Sequence, residues 1–220
     1  MGDAESEADA STPRRYQRSA IVLLQAAIGG ILVAGVLARN LSVVINAALG
    51  LGVTFLPALL ARDWNLRLRA GLTLWITTAV FLHALGMIGL YVAVPWWDHL
   101  THTLSATVVA AVGYATARAF DEHSDAVSFP PRFMFVYVLL FTLAFGVLWE
   151  VLEFGVRHVT DALGMEAVLI QYGPRDTIVD LLFDLVGAVL VALFGTRTLS
   201  SVVDALRAQL DGSRSGERPE

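Results

Sequence analysis

An ionisable side chain near the centre of a bilayer costs about 2.5–3.5 kcal/mol on insertion scales. This sequence nevertheless places seven such groups within or at the ends of its long apolar runs. Asp98 and His102 stand four apart at the start of one run, and Glu150 and Glu153 three apart at the end of another. Asp180 and Asp184 stand four apart near the start of the last run, and His83 lies inside an earlier one. Residues three or four apart share a helix face. Asp176 extends the last pair to i, i+4 and i+8, a stripe about 12 Å long at the helical rise. Carboxylates held close together cannot all stay ionised without a counter-charge, and a divalent cation supplies one. Carboxylates with one or two imidazoles, in a chain without cysteine, suit Mg, Mn, Fe or Zn. Helical bundles build such centres from inward-facing Glu and His at these spacings. Asp98, His102, Asp180, Asp184 and His83 are therefore the expected metal ligands, with Glu150 and Glu153 as the expected catalytic carboxylates. A metal held there would activate water for hydrolysis or hold a phosphate.

Each of these residues also has a plainer reading. Glu150 and Glu153, near a helix end, are compatible with snorkelling to water. Asp98 and Asp176 suit N-capping of the helices that follow them. His102 and His83 can serve packing, and Asp180 with Asp184 can serve hydrogen bonding alone. His99 points about 100° away from Asp98 and is expected at the membrane interface. His123 and His158 read as solvated loop residues, and Gly187 and Gly195 as helix-packing positions.

The elements that must position these groups follow from composition. Hydrophobic residues make up 56% of the 220 and charged residues only 16%, against about 25% charged in soluble domains. The charges cluster between apolar runs of the roughly 20 residues that a spanning helix needs. The expected fold is all-α, a polytopic transmembrane bundle of six spans at about 19–37, 41–60, 71–94, 98–120, 132–155 and 176–194. A polar tail over 1–18 is expected to be disordered, the membrane domain covers 19–195, an amphipathic cytoplasmic helix covers 196–210, and 211–220 is a second disordered tail. In the amphipathic helix Leu199, Val202, Val203, Leu206 and Leu210 recur at helical spacing. That pattern fits either the inner membrane surface or the inner end of the bundle.

All fifteen basic residues are arginine. With the N-terminus inside, the outer segments hold only Arg39, Arg157 and Arg175, so the positive-inside rule places both termini in the cytoplasm. In this topology the acids and His102 gather at the outer half of the bundle, with His83 about 16 Å below its helix's outer end. Tyr91, Trp96 and Trp97 are expected in an outer interfacial belt. Arg157 and Arg175 would hold an anionic head group. The loop between them, with Leu163, Met165, Val168, Leu169 and Ile170, would dip into the interface as a lid. No basic patch with interleaved aromatics points to nucleic acid, so membrane lipid is the expected partner.

At these residues the chain resembles the YjdF-like family of bacterial and archaeal inner-membrane proteins, whose function is unknown, and more distantly the VanZ-like family. The resemblance rests on His83-Ala-Leu-Gly86 with Tyr91 and Pro95, Asp98-x-x-x-His102, Glu150-x-x-Glu153, and Asp180-x-x-x-Asp184-x-x-Gly187-Ala188. It implies a membrane protein with an intramembrane polar cluster and supplies no activity. Three functions stay open on the sequence. One is metal-dependent hydrolysis or transfer on a lipid or lipid-linked phosphate. The others are transport of protons or divalent cations, and a non-catalytic membrane scaffold. Against transport, the inner half offers few polar groups beyond Gln25, Asn46 and Thr77.

Overall fold

A computed structural model describes residues 2–124, 126–165, 167–169 and 172–216, with side chains from 14 to 212, and every regular element in it is helical. The helices are α1 (Gly2–Leu37), α2 (Leu41–Asp63), α3 (Ala70–Ala93), α4 (Trp97–His123), α5 (Pro131–Ala162), α6 (Pro174–Thr198) and α7 (Ser200–Gly216). Asn40 caps α2 by accepting the Val43 N–H at 3.0 Å, after a turn in which Arg39 takes a left-handed φ of 55°. Pro131 and Pro174 open α5 and α6, where a missing N–H costs nothing.

Among the described residues, five helices are long and apolar enough to cross a membrane: α1 from Arg14, α2, α3, α5 and α6. The expected fourth span, α4, falls short of that apolarity. It carries Asp98, His99 and His102 at one end and Arg118, Asp121 and Glu122 at the other. Its buried residues are small or hydroxylated, among them Thr101, Ala106, Thr107, Ala110, Gly113 and Ala117. A helix enclosed by its neighbours has no lipid to match, so it needs closeness more than hydrophobicity.

Two cores flank this central helix. Ile28, Val43, Ala47, Ala84 and Met87 join α1, α2 and α3. Ala110, Tyr114, Val138, Ala188 and Val203 join α4 to α7. Gly187 sets the tightest approach. A methyl there would meet the Thr103 carbonyl of α4 at 2.5 Å, so the glycine lets the acid-bearing faces of α4 and α6 come together.

Several boundaries differ from the sequence reading. Helix α1 begins at Gly2, so the expected disordered tail over 1–18 is helical from residue 2; its run of Ala, Glu and Asp favours a helix start. Helix α7 runs past 210 to Gly216, and the final four residues of the expected second tail lie outside the described ones. Its apolar face, Val202, Val203, Leu206 and Leu210, covers the α4–α6 core. Of the two settings expected for that face, the bundle end is the one seen. The side chain of Gln209 reaches the Trp64 carbonyl. His123 is not a solvated loop residue: it ends α4, and its buried ring meets Asp211 at 2.6 Å.

Helix α3 breaks register near its end. Gly86–Leu90 forms a π-helical turn, with Gly89 at φ 126°. The extra residue swings the Tyr91 ring back over Gly86, where any side chain would collide with it. Tyr91 is therefore buried in the interior, and of the expected interfacial belt Trp96 stays exposed while the Trp97 indole N–H donates to the Leu82 carbonyl at 3.1 Å.

Candidate functional site

The first two turns of α4 carry Asp98, His99 and His102. Its N-cap position is Trp96, so Asp98 lies inside the first turn and does not cap it. His102 stands between two acids. Its Nδ1 lies 3.2 Å from Asp184 Oδ1 on α6, and its Nε2 lies 3.7 Å from Asp98 Oδ1. Both carboxylates can accept from the ring, Asp184 at hydrogen-bond distance and Asp98 just beyond it. A carboxylate behind a histidine in this way fixes both tautomer and ring plane for a ligating nitrogen.

Asp180, one turn earlier on α6, is 2% exposed, and its Oδ1 has no hydrogen-bond partner. His99 Nδ1 lies 3.5 Å from it and is likewise buried without a partner, its ring stacked on Phe183 with centroids 4.5 Å apart. His99 thus belongs to the cluster and is not an outward interfacial residue. The angular argument failed because α6 packs across both faces of the turn. Asp98, His102 and Asp180 each bring one ligand atom into a group whose atoms all lie within 4.8 Å of one another. Buried polar atoms without hydrogen bonds are rare and costly, and of the Asp180 and His99 atoms that of Asp180 belongs to this group.

Asp184 stands one step behind this group, as the partner of His102. It reaches that place because α5 has a glycine opposite: a side chain at Gly146 would collide with the Asp184 carboxylate. Further along α5, Glu150 and Glu153 are buried and do not snorkel. Glu150 Oε2 accepts the Thr177 hydroxyl at 2.7 Å, and its Oε1 is buried without a partner. Glu153 Oε1 accepts the Trp149 indole N–H at 2.9 Å.

His83, expected as a ligand, is spent elsewhere. Asn46 Nδ2 donates to the carbonyls of Ser42 and Val168, both at 2.9 Å. Its Oδ1 then accepts from His83 Nε2 at 3.2 Å. His83 Nδ1 is left as an acceptor for the Tyr91 hydroxyl at 2.7 Å. With both ring nitrogens engaged, His83 is a strut between α2 and α3. Tyr91 also lies 3.2 Å from Thr101, whose hydroxyl donates to the Asp98 carbonyl at 2.9 Å. Tyr91, Asn46 and Thr101 escaped the sequence reading. Only the two glycines around the π-helical turn hinted that Tyr91 would fold inward.

The α5–α6 connector closes over this end. Val168 and Leu169 are buried, and the Val168 carbonyl also accepts the Ser42 hydroxyl at 2.8 Å. Leu163 and Met165 stay exposed, and Ile170 lies outside the described residues. Tyr172 donates its hydroxyl to the Tyr91 carbonyl at 3.3 Å. Partial burial, followed by the negative charges of Asp98 and Asp176, pushes the Tyr172 phenol above its ordinary value, so it keeps the proton it donates. Asp176 accepts the Tyr172 backbone N–H at 3.1 Å, tying the connector to the start of α6. Arg157 and Arg175 are exposed at the same end.

No curated protein and no solved structure matches the chain. A family model described as "Predicted membrane protein (DUF2238)" matches residues 20–201, a stretch that takes in most of the first membrane-length helix, the other four entirely, and every residue of the cluster. The chain is a multi-pass membrane protein and belongs to that family.

Proposed function

We propose that this protein is a membrane-embedded, metal-dependent enzyme that hydrolyses or transfers a phosphate on a lipid or lipid-linked substrate. In this reading α4 is the sixth span, both termini are cytoplasmic, and the site opens toward the outer face. Asp98, His102 Nε2 and Asp180 hold a divalent cation, with His99 Nδ1 beside them, and Asp184 orients His102. Such a cation polarises a phosphoryl oxygen and activates water. Arg157 with Arg175 holds the anionic head group at the rim.

The observation that carries the reading is a pair of buried atoms that make no hydrogen bond, Asp180 Oδ1 and His99 Nδ1, held only by a 3.5 Å contact with each other beside the Asp98–His102 pair. A purely structural network would satisfy its own members. Transport has less support. Gln25 is bonded to Thr54 and Thr77 to its own helix, so they do not continue the line of acids inward.

The test is phosphate release from dispersed lipid phosphomonoesters and lipid diphosphates by the detergent-purified chain, with Mg or Mn supplied. Release by the wild type that falls at least a hundredfold in Asp180→Asn supports the proposal. Release that survives the substitution, or none with either metal, sinks it.

A further inference from the structure

A cation at Asp98, His102 and Asp180 leaves Glu150 unexplained. Glu150 is 4% exposed, and its Oε1 is sealed from solvent with no donor to accept from. Glu150 is not among the three residues whose ligand atoms converge. Its other oxygen is held by Thr177, which aims the carboxylate. Glu153 follows one turn later, buried, with Oε1 on the Trp149 indole. Gly146, Glu150 and Glu153 form one stripe on α5, at i, i+4 and i+7. Asp184 touches that stripe at Gly146 with one oxygen while its other oxygen meets His102. The Glu pair and the first group are therefore adjoining halves of one cluster.

Charge points the same way. Three carboxylates, those of Asp98, Asp180 and Asp184, meet the imidazoles of His99 and His102, and the buried Glu150 and Glu153 bring the carboxylates of the cluster to five. One divalent ion would leave three negative charges uncompensated if the imidazoles are neutral; two would leave one. We infer that Glu150 and Glu153 form a second divalent-cation subsite beside the first, so that the cluster is a binuclear centre able to clamp one phosphoryl group between two metals. This inference rests on the metal reading proposed above. The two halves differ in chemistry. The first offers imidazole nitrogen with carboxylates, whereas the second offers oxygen only, which favours hard Mg or Mn over Zn.

The experiment is a Mn titration of the full chain in detergent, read by elemental analysis and electron paramagnetic resonance. Two Mn per wild-type chain with a spin-coupled spectrum are expected, falling to one uncoupled Mn in Glu150→Gln and in Glu153→Gln. Glutamine keeps size and the Thr177 contact, and monodisperse elution is required of each variant. One Mn in the wild type, two in both variants, or none in a monodisperse variant overturns the second subsite while leaving the first standing. No Mn in the wild type overturns the metal reading beneath it.

Discussion

His102 holds Asp184 and Asp98 on opposite ring nitrogens, at 3.2 Å and 3.7 Å. Asp184, at hydrogen-bond distance, fixes the ring, and Nε2 is the nitrogen turned toward Asp98. Asp184 is then a positioning residue and not a ligand, which separates it from Asp98 and Asp180. Asp184→Asn should weaken metal binding by about 10–100-fold, the usual effect of losing such a partner. Asp98→Asn and Asp180→Asn should abolish binding at the first subsite. Equal loss in all three, measured by metal titration, would make Asp184 a direct ligand.

Gly146 should be intolerant of the smallest side chain. A Cβ there falls on the Asp184 carboxylate and 2.9 Å from Leu181 Cδ2. Gly146→Ala is expected to cost about 1–3 kcal/mol through overpacking and to lower metal affinity as Asp184→Asn does. Gly155 lies on the same helix with open space around its Cβ position. Gly155→Ala should leave affinity unchanged and should not lower the melting temperature, since Ala is the better helix former. Thermal melts and titrations of the two variants side by side check this.

Tyr91→Phe removes the donor that satisfies His83 Nδ1. Leaving that buried acceptor unpaired should cost about 1–3 kcal/mol. Metal content should stay at the wild-type value, because His83 belongs to the α2–α3 strut. A drop in metal content in Tyr91→Phe or His83→Gln, in protein that still elutes as one species, would return His83 to the ligand set.

The connector is pinned where the Val168 carbonyl receives Ser42 and Asn46. Asn46→Ala removes one of those two bonds and strands the His83 donor. At about 0.5–1.5 kcal/mol per hydrogen bond, opening of the connector should rise by up to roughly tenfold. Hydrogen exchange in 163–169 should quicken accordingly, with α4 and α6 unaffected. Unchanged exchange there would show that the Val168 contacts do not hold the connector closed.

Long apolar runs and i, i+4 acid spacing made the helices and the cluster's members legible, because hydropathy and helical period act locally. Asp98, His102, Asp180 and Asp184 come together, and Glu150 and Glu153 are buried. What spacing could not supply was the neighbour. His99 looked outward on its own helix, yet α6 packs against that face too. His83 had the right depth, yet its proton inventory is set by Asn46, 37 positions earlier. The π-helical turn at Gly86 re-aims Tyr91 by a register change that no periodic pattern encodes. Helix α4 read as a span by length, while its place at the centre explains why it is less apolar than the rest.

Nitrogen coordination at the first metal subsite tests the account most directly. The Glu150→Gln chain, which keeps only the first subsite, stripped of metal and reloaded with Mn, should give a spin-echo signal modulated by imidazole nitrogen. His102→Gln should lose the Nε2 contribution, and Asp180→Asn should hold no nitrogen-coupled Mn. Wild-type protein that takes up no Mn, or Mn that shows no nitrogen coupling and binds the variants as tightly as the wild type, would contradict it.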